Sequence, residues 1–304
     1  MAVNGRSLIP VKPSGCKRPF FYVHGADGHT VDSLIGKYID PERPFYGLRA
    51  VGRDGKEPPH TCIEEMVAYY IQEIQTVQPE GPYLLGGRCT GGNIAFEMAQ
   101  QLKKRSQKVL LVVMVDSLKP LLTEEEKVEY WDAVTPKQLE WSGKLTNDSS
   151  NLSLIETDFN PKVFEHNLQI PVNHVPKMYS GRVVYFSAQE KSKDSSIASL
   201  LAPNAWNRWV RNGIEVCEVP GDHLSMTKEP HVRVLAKELG NCLDRAEYQK
   251  QKQEESRENL SSKHSIDRQL EEKGYKVIDF FSDDEVLSLL KLYKEIYSCI
   301  SCWI

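Results

Sequence analysis

The stretch Tyr83-Leu84-Leu85-Gly86-Gly87-Arg88-Cys89-Thr90-Gly91-Gly92-Asn93 decides how the chain is read. Three apolar residues, Tyr83–Leu85, enter a glycine-rich turn. After Asn93, the residues Ile94, Ala95, Met98, Ala99 and Leu102 recur at helical spacing. Strand, tight turn and helix in that order, with Cys89 central in Gly87-Arg88-Cys89-Thr90-Gly91, form the context of a nucleophile elbow. Such a turn strains its central residue, and a Cβ at Gly87 or Gly91 would meet neighbouring backbone. The helix that follows directs its N-terminus at the sulfur and favours thiolate. Thr90 would supply one backbone N–H to an oxyanion hole. An isolated G-x-C-x-G reads more readily as a buried structural cysteine. The flanking strand and helix, and partner residues elsewhere in the chain, reverse that reading.

Outward from the elbow, His223 lies in Pro220-Gly221-Asp222-His223, past the last apolar run and before a helix carrying Val232, Leu235 and Leu239. A loop after the final strand is where an α/β hydrolase places its base. Asp116 directly follows the longest apolar run, Val109–Val115. A carboxylate at the C-terminal end of a parallel strand faces the ligand crevice, where it would hold the imidazole tautomer and stabilise the imidazolium. Glu190 and Asp194 follow another strand, Val183–Phe186, and from the residues alone they rival Asp116 equally. In His24-Gly25-Ala26-Asp27-Gly28-His29, a glycine-rich turn exposes backbone N–H groups, and Ala26 or Asp27 would complete the oxyanion hole with Thr90. His24 and His29 have no third or fourth metal ligand beside them, so no metal site is expected.

The rest of the chain frames these residues. Apolar runs Phe20–Val23, Phe45–Leu48, Tyr83–Leu85, Val109–Val115, Val183–Phe186 and Ile214–Val219 alternate with helical patterns. One such pattern is Ile63, Met66, Val67, Tyr70, Ile71, Ile74 and Val77. The runs show little polar alternation, as doubly covered strands should. The expected class is α/β, with a mostly parallel central sheet and helices on both faces. The segment from about Leu118 to Ser180 breaks the alternation and reads as a helical lid, with Pro161 at a first helical position after Asn160. The hydrolase domain is expected over 1–244 and a charged linker or helix over 245–270. In the short tail over 271–304, Tyr275–Phe280 could form a strand, and a capping box at Ser282–Glu285 would open a helix.

Composition excludes several classes. Net charge is -4 and the basic residues are scattered, which argues against a nucleic-acid surface. The longest apolar run is far shorter than the roughly 20 residues that span a bilayer. The N-terminus has no apolar core of a signal peptide, and seven widely spaced cysteines read as free thiols in a reducing, cytoplasmic setting. Cys299 and Cys302 have C-x-x-C spacing without a second pair, which is weak evidence for metal.

From about Leu8 to Leu243 the chain resembles the type I thioesterase domains that end non-ribosomal peptide and polyketide assembly lines. The resemblance rests on FFYVHGADG, RPFYGLRAVGRDG, VQPEGPYLLGG, the elbow, VMVDS and VPGDHLSM together. It implies the α/β-hydrolase fold and places the catalytic acid after the strand that follows the elbow helix, which favours Asp116. It implies a lid over a tunnel for the acyl chain and phosphopantetheine arm, a carrier protein or domain as partner, and no cofactor in the chain itself. Where that family usually has serine, this chain has Cys89; dienelactone-type hydrolases also use a cysteine elbow. From Gly274, GYKVIDFFSDDEVLSLLKLYKE is similar, over a short length, to the opening of the phytanoyl-CoA dioxygenase family. The iron-binding half of that fold is missing, so no oxygenase activity is expected.

The expectation is therefore a thioesterase with a Cys89–His223–Asp116 triad and an oxyanion hole from Ala26 and Thr90. It would release a carrier-bound chain by hydrolysis, cyclisation or amide formation. The alternatives are a hydrolase or acyltransferase on a small ester or lactone, and a catalytically silent binding module. The start at Ser7-Leu8-Ile9-Pro10 reads as a linker.

Overall fold

The computed structural model describes residues 7–28, 32–53, 55–134, 160–192 and 195–272. The chain divides into two compact units, Met1–Asp244 and Arg245–Ile304. The first is built on seven strands: β1 (Leu8–Lys12), β2 (Phe20–Val23), β3 (Phe45–Leu48), β4 (Tyr83–Arg88), β5 (Val109–Val115), β6 (Val183–Ala188) and β7 (Glu215–Val219). They form one sheet in the order β1-β3-β2-β4-β5-β6-β7, with only β1 antiparallel to its neighbour. Strands β2, β3 and β4 are buried almost throughout, which is why they read as unbroken apolar runs.

Helices α1 (Ser33–Tyr38), α2 (Ile63–Gln75) and α3 (Thr90–Lys104) alternate with these strands. The apolar face of α2 (Met66, Val67, Tyr70, Ile71 and Ile74) joins Ile94, Phe96 and Met98 of α3 in one core with the sheet. This mostly parallel sheet layered with helices is the α/β-hydrolase arrangement. Between β5 and β6 lie α4 (124–134) and α5 (Pro161–Asn173). Helix α5 opens as its sequence requires: the Asn160 side chain accepts from Lys162 N–H at 3.0 Å, and Pro161 occupies the first turn, where no N–H is missed. Helices α6 (Ser195–Leu200) and α7 (Val232–Glu272) complete the set. Val232, Leu235, Leu239 and Leu243 of α7 are buried in the first unit.

The structure adds one strand. Leu8–Lys12 is not linker but β1, paired with β3 from Leu8 opposite Leu48 to Lys12 opposite Phe45. The Glu73 carboxylate on α2 accepts the N–H groups of both Ser7 and Leu8 at 3.1 Å. An edge strand needs only one partner and tolerates Pro10, so its local pattern resembles a linker. The expected tail elements from Gly274, with Cys299 and Cys302, lie outside the described residues, as does most of the Pro-containing segment between α4 and α5.

The strand order reverses beside β2: the chain steps from β2 out to β3 and then returns to place β4 on the other side of β2. A crevice therefore opens at the carboxyl ends of β2 and β4. Glycine lets the chain pack this tightly. A Cβ on Gly91 would stand 2.3 Å from the His24 carbonyl oxygen, and one on Gly87 would stand 2.4 Å from the Gly91 carbonyl. Gly91→Ala should therefore destabilise the first unit by about 3 kcal/mol, the upper range for overpacking. Urea unfolding would measure this, and a shift below about 0.5 kcal/mol would contradict the packing described.

Candidate active site

Cys89 links β4 to α3 at φ 55 and ψ −125, a conformation that few non-glycine residues adopt. Its N–H donates to the Val115 carbonyl at 3.0 Å. β4 and β5 are in register, with Arg88 opposite Val115. The next residue on each strand, Cys89 and Asp116, therefore leaves the sheet side by side. Asp116 also has a positive φ, 43. Its N–H donates to Phe186 O at 2.7 Å, and its Oδ1 accepts from Ala188 N–H at 3.3 Å. Its Oδ2 lies 2.7 Å from His223 Nδ1. A carboxylate only accepts, so Nδ1 carries the proton and Nε2 is left for the Cys89 thiol, whose interaction with His223 lowers the thiol and raises the imidazole. His223 follows β7 in a turn held by Asp222, whose side chain accepts from Leu224 N–H at 3.0 Å and Ser225 N–H at 2.8 Å.

Among the rival carboxylates, these bonds join Asp116 to His223. Glu190 lines the same cavity, yet Asp116 is the acid on His223; Asp194 lies outside the described residues. Thr90 begins α3 fully buried, and its backbone N–H helps lower the Cys89 thiol pKa. Ala26 lies in the apolar cluster against which Cys89 packs, and its carbonyl accepts from Asn167 Nδ2 at 3.0 Å, fixing the turn after β2 to α5. Asp27, in the same turn, is buried too. His24 Nδ1 is 2.6 Å from Gly25 O, and its Nε2 is 2.7 Å from the Tyr70 hydroxyl. That ring is committed to the core on both sides. His29 lies outside the described residues. Among the described residues, one set of possible metal ligands stands together: Glu215, Cys217 and Cys242, with ligand atoms within 4.8 Å of one another. It lies on β7 and α7 and shares no residue with the Cys89 cluster.

Burial alone would raise the Cys89 pKa. The hydrogen bond and charge of His223, the Arg88 guanidinium and the Thr90 N–H outweigh it, and the thiol is lowered. Burial would likewise lower His223, but hydrogen bonds to Asp116 and Cys89, with their negative charge, push it up to about 9. The two shifts have opposite sign, and both favour thiolate beside imidazolium. A cavity of about 250 Å³ opens beside Cys89, Asp116 and His223. Leu118, Tyr130, Val134, Leu168, Ile197, Leu200 and Leu201 form its apolar wall. No sequence signal marked the wall residues individually. Arg88 was also missed, although it stands inside the elbow, because a turn arginine ordinarily faces water.

A family model described as Thioesterase domain matches residues 19–241. This chain belongs to that thioesterase family. The thioesterase is 28% identical over 243 residues to malpibaldin synthetase of Mortierella alpina, covering 79% of this chain and 4% of that protein. It is 32% identical over 259 residues to malpinin synthetase of the same organism, covering 79% and 3%. A dimodular nonribosomal peptide synthase of Bacillus subtilis (strain 168) is 29% identical over 259 residues, covering 78% and 11%. The chain thus spans only a small part of the length of these relatives. Among solved structures, the Vlm2 thioesterase domain bound with a dodecadepsipeptide aligns at TM-score 0.61 and 21% identity, covering 78% of this chain and 98% of that one. The NocB thioesterase domain in covalent complex with a fluorophosphonate nocardicin G analog aligns at TM-score 0.55 and 21% identity, covering 79% and 99%. At these identities the shared feature is the fold. Among the described residues no helix is long and apolar enough to cross a membrane.

The thiolate–imidazolium pair predicts that Cys89 is alkylated by iodoacetamide well below the pH at which an ordinary thiol reacts. His223→Gln removes the bond and charge that lower the thiol. Its midpoint should therefore move up past the ordinary thiol value of about 8.5, read by peptide mass spectrometry at Cys89. An unchanged midpoint would contradict the pairing.

Proposed function

We propose that this thioesterase releases an acyl or peptidyl chain from the phosphopantetheine arm of a carrier protein or domain through an acyl-enzyme on Cys89. The observation that carries the reading is the Asp116–His223 hydrogen bond in an apolar cavity that Cys89 also lines. The synthetases it resembles, malpibaldin, malpinin and the dimodular peptide synthase, support a role in assembly-line biosynthesis.

In this reading His223 holds the proton taken from Cys89, and sulfur attacks the thioester carbonyl. Asp116 fixes the tautomer and stabilises the imidazolium. Backbone N–H groups of Thr90 and Ala26 hold the oxyanion, at about 3 kcal/mol per donor. His223 then returns its proton to the departing pantetheine sulfur. Water, or an amine or hydroxyl within the chain, attacks the acyl-enzyme and releases acid, macrocycle or amide. With sulfur as nucleophile, one thioester is exchanged for another. Acylation is near thermoneutral and the intermediate stays activated, which suits attack by a weak or constrained nucleophile.

A second reading follows from the size of the cavity formed by the described residues. About 250 Å³ lies just below the usual range for ligand pockets and suits a small ester or lactone. Cys89 would then act as in dienelactone-type hydrolases.

Incubation with acyl-pantetheine thioesters, followed by intact-mass analysis, separates these readings. The carrier-release reading expects an acyl adduct on wild type and none on Cys89→Ala. No adduct with any acyl-pantetheine, together with turnover of simple lactones, would favour the second reading. Asp116→Asn leaves the imidazole in the wrong tautomer and should lower kcat by about 10³–10⁴; a loss under tenfold would remove Asp116 from the proposed triad. Cys89→Ser should release the native product more slowly than wild type, and equal rates would dismiss the role given to sulfur.

A further inference from the structure

Arg88 precedes Cys89 on the elbow, and its side chain is 13% exposed. It is not among the residues lining the cavity. Its Nη1 donates to the main-chain carbonyl of His223 at 3.1 Å. Its Nε lies 3.4 Å from Oδ2 of Asp32, whose side chain is 3% exposed. That oxygen also accepts the hydroxyl of the fully buried Tyr22 at 3.0 Å. Thr227, four residues beyond His223, is buried as well and lies close enough to Asp32 to help hold its carboxyl ionised. Asp32 itself is held at a left-handed φ of 31. One hydrogen bond thus runs from a buried ion pair to the backbone of His223.

A buried ion pair is a poor source of stability, since apolar residues of the same volume often serve as well. A rigid link is the better account of this one. The guanidinium is planar and can bind two acceptors in different directions at once, whereas an ammonium is a point charge on a flexible stem.

We propose that Arg88 is a positioning residue of this thioesterase: bound to Asp32 on one side and to the His223 carbonyl on the other, it holds the His223 loop over Cys89. The proposal rests on the acyl-enzyme reading given above. Asp116 orients the imidazole from its Nδ1 side; Arg88 fixes the backbone from which the imidazole hangs. Its charge adds to that of His223 in favouring thiolate. The other groups facing the pair are neutral or anionic. Asp116 and Asp222 act on His223, the phenols of Tyr130 and Tyr185 are held neutral by burial, and Tyr22, Asp27 and Asp32 face Arg88 itself.

The test is the pH profile of Cys89 alkylation by iodoacetamide, read on the Cys89 peptide, beside kcat and KM on an acyl-pantetheine thioester. In Arg88→Met, folding being checked by circular dichroism, the alkylation midpoint should rise by about one pH unit. Its kcat should fall about 10- to 100-fold, as for a misplaced catalytic group, with KM within about twofold. Arg88→Lys should keep the midpoint near wild type and recover only part of kcat, because charge returns without the two-way link. A folded Arg88→Met with wild-type midpoint and kcat would overturn the proposal, as would an Arg88→Lys fully as active as wild type. Should Arg88→Met fail to fold, Asp32→Asn releases one end of the link. It should lower kcat by at least about threefold, and wild-type kcat there would also overturn the proposal. Alkylation requires no turnover. A midpoint that moves in a chain with no thioesterase activity would therefore keep Arg88 in place while removing the functional reading.

Discussion

The turn at Cys89 must bring a strand into a helix within one residue, and most of the first unit is fitted to that requirement. Its positive φ exists because β4 ends against β5 through the Cys89 N–H bond to Val115, while α3 starts immediately with Thr90. The helix can begin there only by lying directly on β2. Gly91 sits where a Cβ would collide with the His24 carbonyl, so the sequence has glycine at the contact. Strain of this kind survives when the surroundings over-determine it. The parallel pairing of β4 with both β2 and β5 supplies that determination.

Electrostatics at the turn follow from the same arrangement. A thiol among apolar neighbours would remain protonated. Here the imidazolium, the guanidinium of Arg88 and the N–H of Thr90 converge on one sulfur. None of the three could do so from an extended strand. Asp116 completes the balance: buried and bonded to His223, it pushes the imidazole pKa up. The site thus combines a strained cysteine, a histidine held through its ring and its backbone, and an apolar cavity formed by residues between β5 and β6 and by α6.

Much of this was legible in order along the chain. The central strands appeared as uninterrupted apolar runs because both faces of the sheet are covered. The elbow was legible because its glycines answer to steric rules that hold in any fold. Asn160 and Pro161 marked the start of α5 because capping is local. β1 was not legible, since an edge strand bearing Pro10 takes its hydrogen bonds from β3 and Glu73 rather than from any pattern of its own. The charged run after Leu243 read as linker or helix, and it continues α7 to Glu272.

The sequence by itself determined the α/β class, the elbow with sulfur at Cys89, and the positions of His223 and Asp116 at strand ends. These depend on periodicity and on short-range sterics, which a chain carries locally. Only the tertiary structure showed that Asp116 rather than Glu190 bonds His223, because that contact depends on the register of β4 against β5 and on where the β7 loop delivers an imidazole. It alone revealed Arg88 and Asp32 as a buried pair, for their partnership crosses from the approach to α1 to the elbow. Burial of charge is a property of what packs around a residue, and no spacing within the sequence encodes it.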